Sequence, residues 1–426
     1  MKPNLKTEAI AGITTFFTMA YIVIVNPQII SADGKTGMAF SGVLTATVLI
    51  CFSMTLLMGL YAKLPFAVAP GMGINAFFTY TIILGKGVPW PVALGIIFWA
   101  GVFFLVISVT PIRESIAKAI PAELRIAAAA GIGIFLTFIG LKNAGFIVAD
   151  PVTFVKIGAL GKPALLTILG VAISIFLMSR RNPFAFLATI VVVTTAAWAL
   201  GLVGAPPKIL TLPDFRSVLF KLDFLGALKL SLLPSIIAIL FTDLFDSIST
   251  FIGVAHAGDL LDEKGHPRNL RQGLIVDSLA TMGAGVAGTS SGTAYIESVA
   301  GIQMGGRTGL TSVFTALCFL PCFFIAPLAG MVPPYATAAV LILVGATMFR
   351  SVGQISFSKI EEGVPAFLTL ILIPLTFSIT QGILWGFISH VGLYLMVGRR
   401  RDINPVMYVL ALVSIGLLVL ERVKFS

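Results

Sequence analysis

Eighteen acidic residues occur in this sequence of 426, and most sit in polar segments. Four do not: Asp243, Asp246, Asp277 and Glu297 lie inside long apolar runs. No Lys or Arg stands near the middle of those runs, so ready ion-pair partners are absent. A charge in hydrocarbon costs at least about 2.5–3.5 kcal/mol. Each acid must therefore carry a proton or face a polar cavity. Asp243 and Asp246 are three apart on one helical face, with Thr250 a turn further. Glu297 stands where a Gly/Ser/Thr-rich stretch gives way to helix, beside the free N–H groups of a helix start. Asn75 holds a similar place after an earlier Pro/Gly-rich stretch. Two carboxylates, an amide and backbone donors from two helix ends suit a planar ligand bearing N–H donors and ring acceptors. A purine or pyrimidine base is such a ligand. Phe77, Phe245 and Tyr295 are near enough in sequence to stack on it, although 33 Phe in the chain make core or lipid contact the common role. Gly71 and Ile296, from the two irregular stretches, complete the candidate substrate-binding set. Asp246, Asp243 and Glu297 are also the candidates for proton coupling. The plainer reading makes each acid a hydrogen-bonded support, and Asp277, close to Arg271 at one end of its run, reads as well that way.

Other chemistries find no footing. The three cysteines, Cys51, Cys318 and Cys322, all lie in apolar runs and read as small packing residues. His256, His266 and His390 form no cluster with metal-ligand spacing, so neither metal nor cofactor is expected. No glycine-rich stretch is followed by Gly-Lys-Ser/Thr, so an ATP site is not expected and an ion gradient must drive any transport. An intramembrane enzyme is the weaker class: no His-Glu-x-x-His occurs, and Asp243 and Asp246 share one helix where an aspartyl pair needs two.

The elements that position these residues follow from composition. Apolar residues make up 58% and charged residues 11%, against roughly 45–50% and 25% in a soluble domain. The mean hydropathy is +1.03. Disorder and a soluble globule are excluded, and the near-continuous apolar runs exclude a β-barrel. The fold class is an all-α polytopic bundle solvated by the lipid bilayer. A net charge of +10 reads as basic loops that orient spans, not as a nucleic-acid surface.

Punctuation by charge, Pro and Gly predicts spans at 13–32, 39–61, 65–84, 88–110, 126–143, 164–179 and 184–203, then 231–256, 272–287, 289–306, 309–330, 334–350, 363–379 and 381–398. That is seven in residues 1–203 and seven in 231–398, about a polar connection at 204–230, with a basic and apolar tail at 399–426. With the N-terminus inside, 19 of the 28 Lys and Arg, and every Arg except Arg216, fall in inner loops, which predicts both termini in the cytoplasm. The piece 405–420 is short for a span: it either lies on the interface or adds a fifteenth crossing. Met1–Glu8 is polar and no small-residue cleavage pattern follows, so no cleavable signal peptide is expected.

Two spans are abnormal. Leu64–Asn75 carries Pro65, Pro70, Gly71 and Gly73; Gly285–Glu297 is rich in Gly, Ser and Thr. Pro70 cannot donate a backbone bond, and Ala69 before it is pushed to extended geometry. Each is the third span of its half. Interrupted spans at matching positions point to an inverted-repeat transporter with a midplane site. The plainer alternative is two loops between short helices.

At these residues the chain resembles the nucleobase–cation symporter family of xanthine and uracil permeases, and more closely its azaguanine-permease-like branch of adenine, guanine and hypoxanthine permeases. The stretches that carry the resemblance are Thr14–Pro27, Ala69–Phe78, Phe241–Asp246 and Thr293–Ser298. The resemblance implies fourteen spans in a seven-plus-seven inverted repeat. Spans one to four and eight to eleven would form a core domain, and five to seven and twelve to fourteen a gate domain. It implies a short strand in each broken span, with the base between those strands and span eight. Its binding positions map onto Asn75, Asp243 and Glu297, with Asp246 implicated. Asp243 stands where the uracil and xanthine relatives have Glu. The resemblance further implies a plasma-membrane purine–proton symporter that forms a homodimer through the gate. The rival of another class, an anion exchanger on the same fold, would need a cation or no carboxylate where the helix ends meet.

Overall fold

The computed structural model describes residues 4–110, 119–206, 208–258, 260–261 and 267–422; His266 lies outside them. In chain order the helices used below are α1 (Leu5–Met19), α2 (Ile22–Ser31), α3 (Phe40–Leu57), α4 (Met72–Ala76), α5 (Trp90–Val109), α6 (Ala122–Asn143), α7 (Lys162–Ser179) and α8 (Ala185–Ala199). They continue with α9 (Leu233–Gly258), α10 (Leu270–Ala287), α11 (Ser298–Gln303), α12 (Gly309–Phe319), α13 (Pro334–Phe349), α14 (Ile360–Thr376), α15 (Ile379–Met396) and α16 (Pro405–Arg422). Of the described residues, 73% are helical. Among the described residues, eight helical stretches are long and apolar enough to cross a membrane. The fold is that of an integral membrane protein, and shorter apolar helices such as α8 accompany the long ones.

The short helices have local causes. Pro27 removes the donor that Val23 O would receive, and the first span bends before it. α1 stops at Met19, Val23 N–H falls back to Ala20 O at 3.1 Å, and α2 starts at Ile22. The two broken spans each hold one strand, β1 (Val68–Pro70) and β4 (Gly292–Ala294), all buried. The strands pair with each other, antiparallel, Val68 opposite Ala294 and Pro70 opposite Gly292. Pro70 has no N–H to give, so a regular helix could not pass there, while a two-stranded ladder tolerates it at the strand end. The outward-facing backbone groups are met by side chains: Val68 N–H by Thr55 Oγ1 at 2.9 Å, Ala67 N–H by Ser298 Oγ at 3.0 Å, and Ala294 N–H by Asp277 Oδ2 at 3.1 Å. Irregular backbone survives at membrane depth where such groups are paired inside protein. Gly292 is required by packing: a Cβ there would stand 2.8 Å from Ala280 Cβ.

Outside the spans lies a second ladder that the sequence reading did not anticipate, β2 (Ile147–Asp150) with β3 (Phe154–Ile157). Its turn is held by Asp150, which accepts from Lys156 at 2.8 Å and from Thr153 N–H at 3.0 Å. Lys156 and these turn donors hold the Asp150 carboxyl down at about 2.

Helices α1, α2, α3, α5, α10 and α12 pack mainly on one another, as do α6, α7, α8, α13, α14 and α15. α9 touches both sets, and α4 leans on α6. The segment at 405–420 does not lie across the bundle. α16 packs against α15 along its length: its Met407 end shares a cavity with His390 and Tyr394, its Leu418 end one with Ser378 and Gln381. At about 1.5 Å per residue its 18 residues reach about 27 Å, close to the hydrocarbon thickness. It therefore runs antiparallel to α15.

Candidate functional site

The strand pair sets the two helix ends side by side. Gly71 N–H donates to Ser291 O and Tyr295 N–H to Ala67 O, both at 2.9 Å, extending the ladder by one bond at each end. The Tyr295 hydroxyl donates to Pro70 O at 2.5 Å, so its polar end ties one broken span to the other while its ring stays buried.

The predicted site residues surround this ladder at different depths. Asp243 is fully buried on α9 and accepts the Thr281 hydroxyl on Oδ2; its Oδ1 is buried with no partner. Asn75, on α4, accepts the Ser290 hydroxyl on Oδ1, and its Nδ2 is likewise buried and unpartnered. Buried polar atoms are normally hydrogen-bonded, so a carboxylate oxygen and an amide NH2 left over on residues around the ladder are spare hydrogen-bonding capacity. Glu297 is half-buried at the start of α11, yet its side chain makes no cap bond; Oε1 instead accepts Tyr21 OH at 2.8 Å. Tyr21 sits at the bend between α1 and α2, where the Pro27 kink leaves it turned inward.

Asp246, Phe245 and Gly71 share one enclosed cavity of about 50 Å³ with Thr242, and Arg125 of α6 stands on its other wall. At about 30 Å³ per water this holds one or two waters. Asn75, Asp243, Glu297, Tyr295 and Ile296 are not part of its lining. Phe245 stacks on Phe241, centroids 5.7 Å apart. Ile296 is 60% exposed, and Phe77 is buried in the core. Asp243 and Asp246, though three apart, thus differ: one is locked against α10, the other reaches the cavity. A larger cleft of about 620 Å³, between Lys86, Phe377 and the end of α16, holds no carboxylate and lies away from the ladder.

Asp277 is fully buried: its Oδ2 accepts Ala294 N–H of β4, and its Oδ1 has no partner. Asn26 donates to Thr47 and Thr289 at 2.6 and 2.8 Å and holds the approach to β4. Sequence reasoning missed Tyr21, Thr281, Ser290 and Arg125. The first three are ordinary polar residues whose partners lie more than 200 residues away or on another helix, and only Pro27 hinted at the bend. Among the described residues no His/Cys/Asp/Glu group could hold a metal ion.

A family model described as "Permease family", the xanthine–uracil permease type, matches residues 6–384. The adenine permease AdeP of Escherichia coli is 44% identical over 417 residues, 96% of this chain and 92% of that protein. The guanine/hypoxanthine permease PbuG of Bacillus subtilis is 38% identical over 422 residues, 96% and 95% of the two chains. Among solved structures, the transmembrane domain of a cyanobacterial bicarbonate transporter, BicA, superposes with a TM-score of 0.67 over 91% of this chain and 98% of that one, at 18% identity. That likeness is one of fold alone.

Proposed function

The chain belongs to this permease family, and from that premise we propose that it carries purine nucleobases across the plasma membrane by proton symport with alternating access. The observation that carries the reading is the spare hydrogen-bonding capacity at the crossed strands: Asp243 Oδ1 to accept and Asn75 Nδ2 to donate, both buried and both unpaired. Relatives named for adenine and for guanine/hypoxanthine, similar along nearly the whole chain, support adenine, guanine or hypoxanthine over uracil or xanthine.

In this reading Asn75, Asp243 and Glu297 hold the base edge. Gly71 and Ile296 supply backbone at the two helix ends, and Phe245 and Tyr295 flank the ring. Asp246, which reaches the cavity, takes the proton. Fourteen spans form a seven-plus-seven inverted repeat, and the packing of the helices into two sets supports a core of spans one to four and eight to eleven against a gate of five to seven and twelve to fourteen. The gate would also carry a homodimer contact. The N-terminus is cytoplasmic by the basic-loop count, and α16 adds a crossing. An anion exchanger of the same fold is disfavoured by the carboxylates Asp243 and Glu297 beside the helix ends.

The test is uptake of labelled adenine into proteoliposomes, competed by hypoxanthine, guanine, uracil and sulfate. Purines should compete and sulfate should not. Because a proton enters with the base, uptake should rise as external pH falls and collapse with a protonophore. Sodium-dependent, protonophore-resistant uptake would overturn the proton coupling; sulfate uptake without purine competition would overturn the substrate class.

A further inference from the structure

We propose that Arg125 is a base-recognition residue, donating from the gate side to a ring-nitrogen acceptor of the purine, N3 or N7. The inference rests on the purine-transport reading. Arg125 lies in the first turn of α6, on the stripe that continues through Ala128, Ala129 and Ile132, and this stripe forms one wall of the cavity whose other wall carries Asp246. The two alanines leave room for the long side chain to lie along the helix. A basic residue that only orients a span reaches out to water and headgroups. Arg125 is half-buried, and its Nε is buried and makes no hydrogen bond. Glu123 is two residues away on the same helix, a spacing that does not bring side chains face to face.

A buried guanidinium donor without an acceptor is costly. A purine supplies what is missing, because N3 and N7 are lone-pair acceptors in the 9H tautomers of adenine, guanine and hypoxanthine. The cavity thus has an acceptor wall, Asp246 of α9, and a donor wall, Arg125 of α6. A base between them would have its N–H groups read by carboxylates and a ring nitrogen read by the guanidinium, a charge-assisted bond. At about 50 Å³ the closed cavity is too small for a base, so the two walls must separate to admit one. The place where they touch is known: Gly73 of α4 packs on Ile132 of α6.

The experiment crosses residue with ligand atom. Affinities of purified parent, Arg125→Gln and Arg125→Lys are measured for adenine, 3-deazaadenine and 7-deazaadenine, with melting temperatures alongside. In the parent, one of the two deaza analogues should bind roughly 10- to 100-fold more weakly than adenine, the range of a charge-assisted bond. Arg125→Gln should weaken adenine by the same factor and abolish the discrimination against that analogue. Arg125→Lys, which keeps the charge, should retain part of it and serves if the Gln variant does not fold. Discrimination that survives in Arg125→Gln, or an equal loss for all three ligands, overturns the proposal. A parent that binds no purine overturns the transport reading as well, so the two failures are told apart.

Discussion

Replacing Glu297 by Gln keeps the side chain's shape and removes its charge. The structure says what this should and should not disturb. Glu297 precedes α11 but makes no side-chain cap bond, so no cap is lost. The hydrogen bond that Oε1 accepts from Tyr21 OH at 2.8 Å can pass to the Gln carbonyl. The bond weakens from charge-assisted to neutral, and a negative charge leaves the start of a short helix; each change is worth about 1 kcal/mol or less. Binding is different. If the carboxylate accepts a ring N–H, its loss removes about 1.5–3 kcal/mol, roughly 10- to 150-fold in Kd. Isothermal titration of the purified variant with adenine or hypoxanthine, beside its thermal unfolding, separates the two. Tyr21→Phe is the control: it removes the donor and leaves the charge, so affinity should change several-fold at most. Unchanged affinity in Glu297→Gln together with a lowered melting temperature would make Glu297 structural and refute its place in the site.

Asp243→Asn should insert and fold, since Asn Oδ1 can still accept the Thr281 hydroxyl, but lose purine uptake; a purified variant that binds as the parent does removes Asp243 from the site. Gly73→Ala places a Cβ 2.3 Å from Ile132 Cγ2, an overlap of the kind that costs about 1–3 kcal/mol. Uptake should fall about 5- to 150-fold by this measure, and Ile132→Ala in the same chain should restore it; failure of that rescue would show that the contact does not limit the cycle. Protease-cleavable tags before α1 and after α16 should be cut from opposite faces of the membrane, and cleavage from one face alone would show that α16 does not cross.

The two interruptions were legible because Pro70 and the run Thr289–Thr293 contradict helix by local chemistry alone. That each holds a strand came from the family resemblance, and the structure adds that the strands pair with each other. What lay out of reach depended on distance. Tyr21 meets Glu297 from the far end of the chain, through a bend caused by Pro27. Thr281 and Ser290 are two hydroxyls among many until α10 and α4 place them against Asp243 and Asn75. Arg125 was counted with the loop charges, because sequence cannot say which way an arginine at a helix end points. The reading of 405–420 stopped at the charged Glu421 and Arg422, whereas the helix runs on through both. Ladder β2–β3 was missed because its residues carry no clear alternation against a buried face; most of it is exposed.

The crossed strands also bear on how the chain is made. Pro70 O and the Tyr295 hydroxyl that satisfies it are 225 residues apart in sequence. At about 5–20 residues per second, roughly 10–45 s of synthesis separate the two. Throughout that interval the first broken span has no ladder partner, and no water in the bilayer core can substitute. The first half must therefore wait in a provisional arrangement, held near the interface or by the insertion machinery, until the second half arrives. Assembly of the centre is a late, long-range event, and the two halves produced as separate polypeptides should accumulate only when made together.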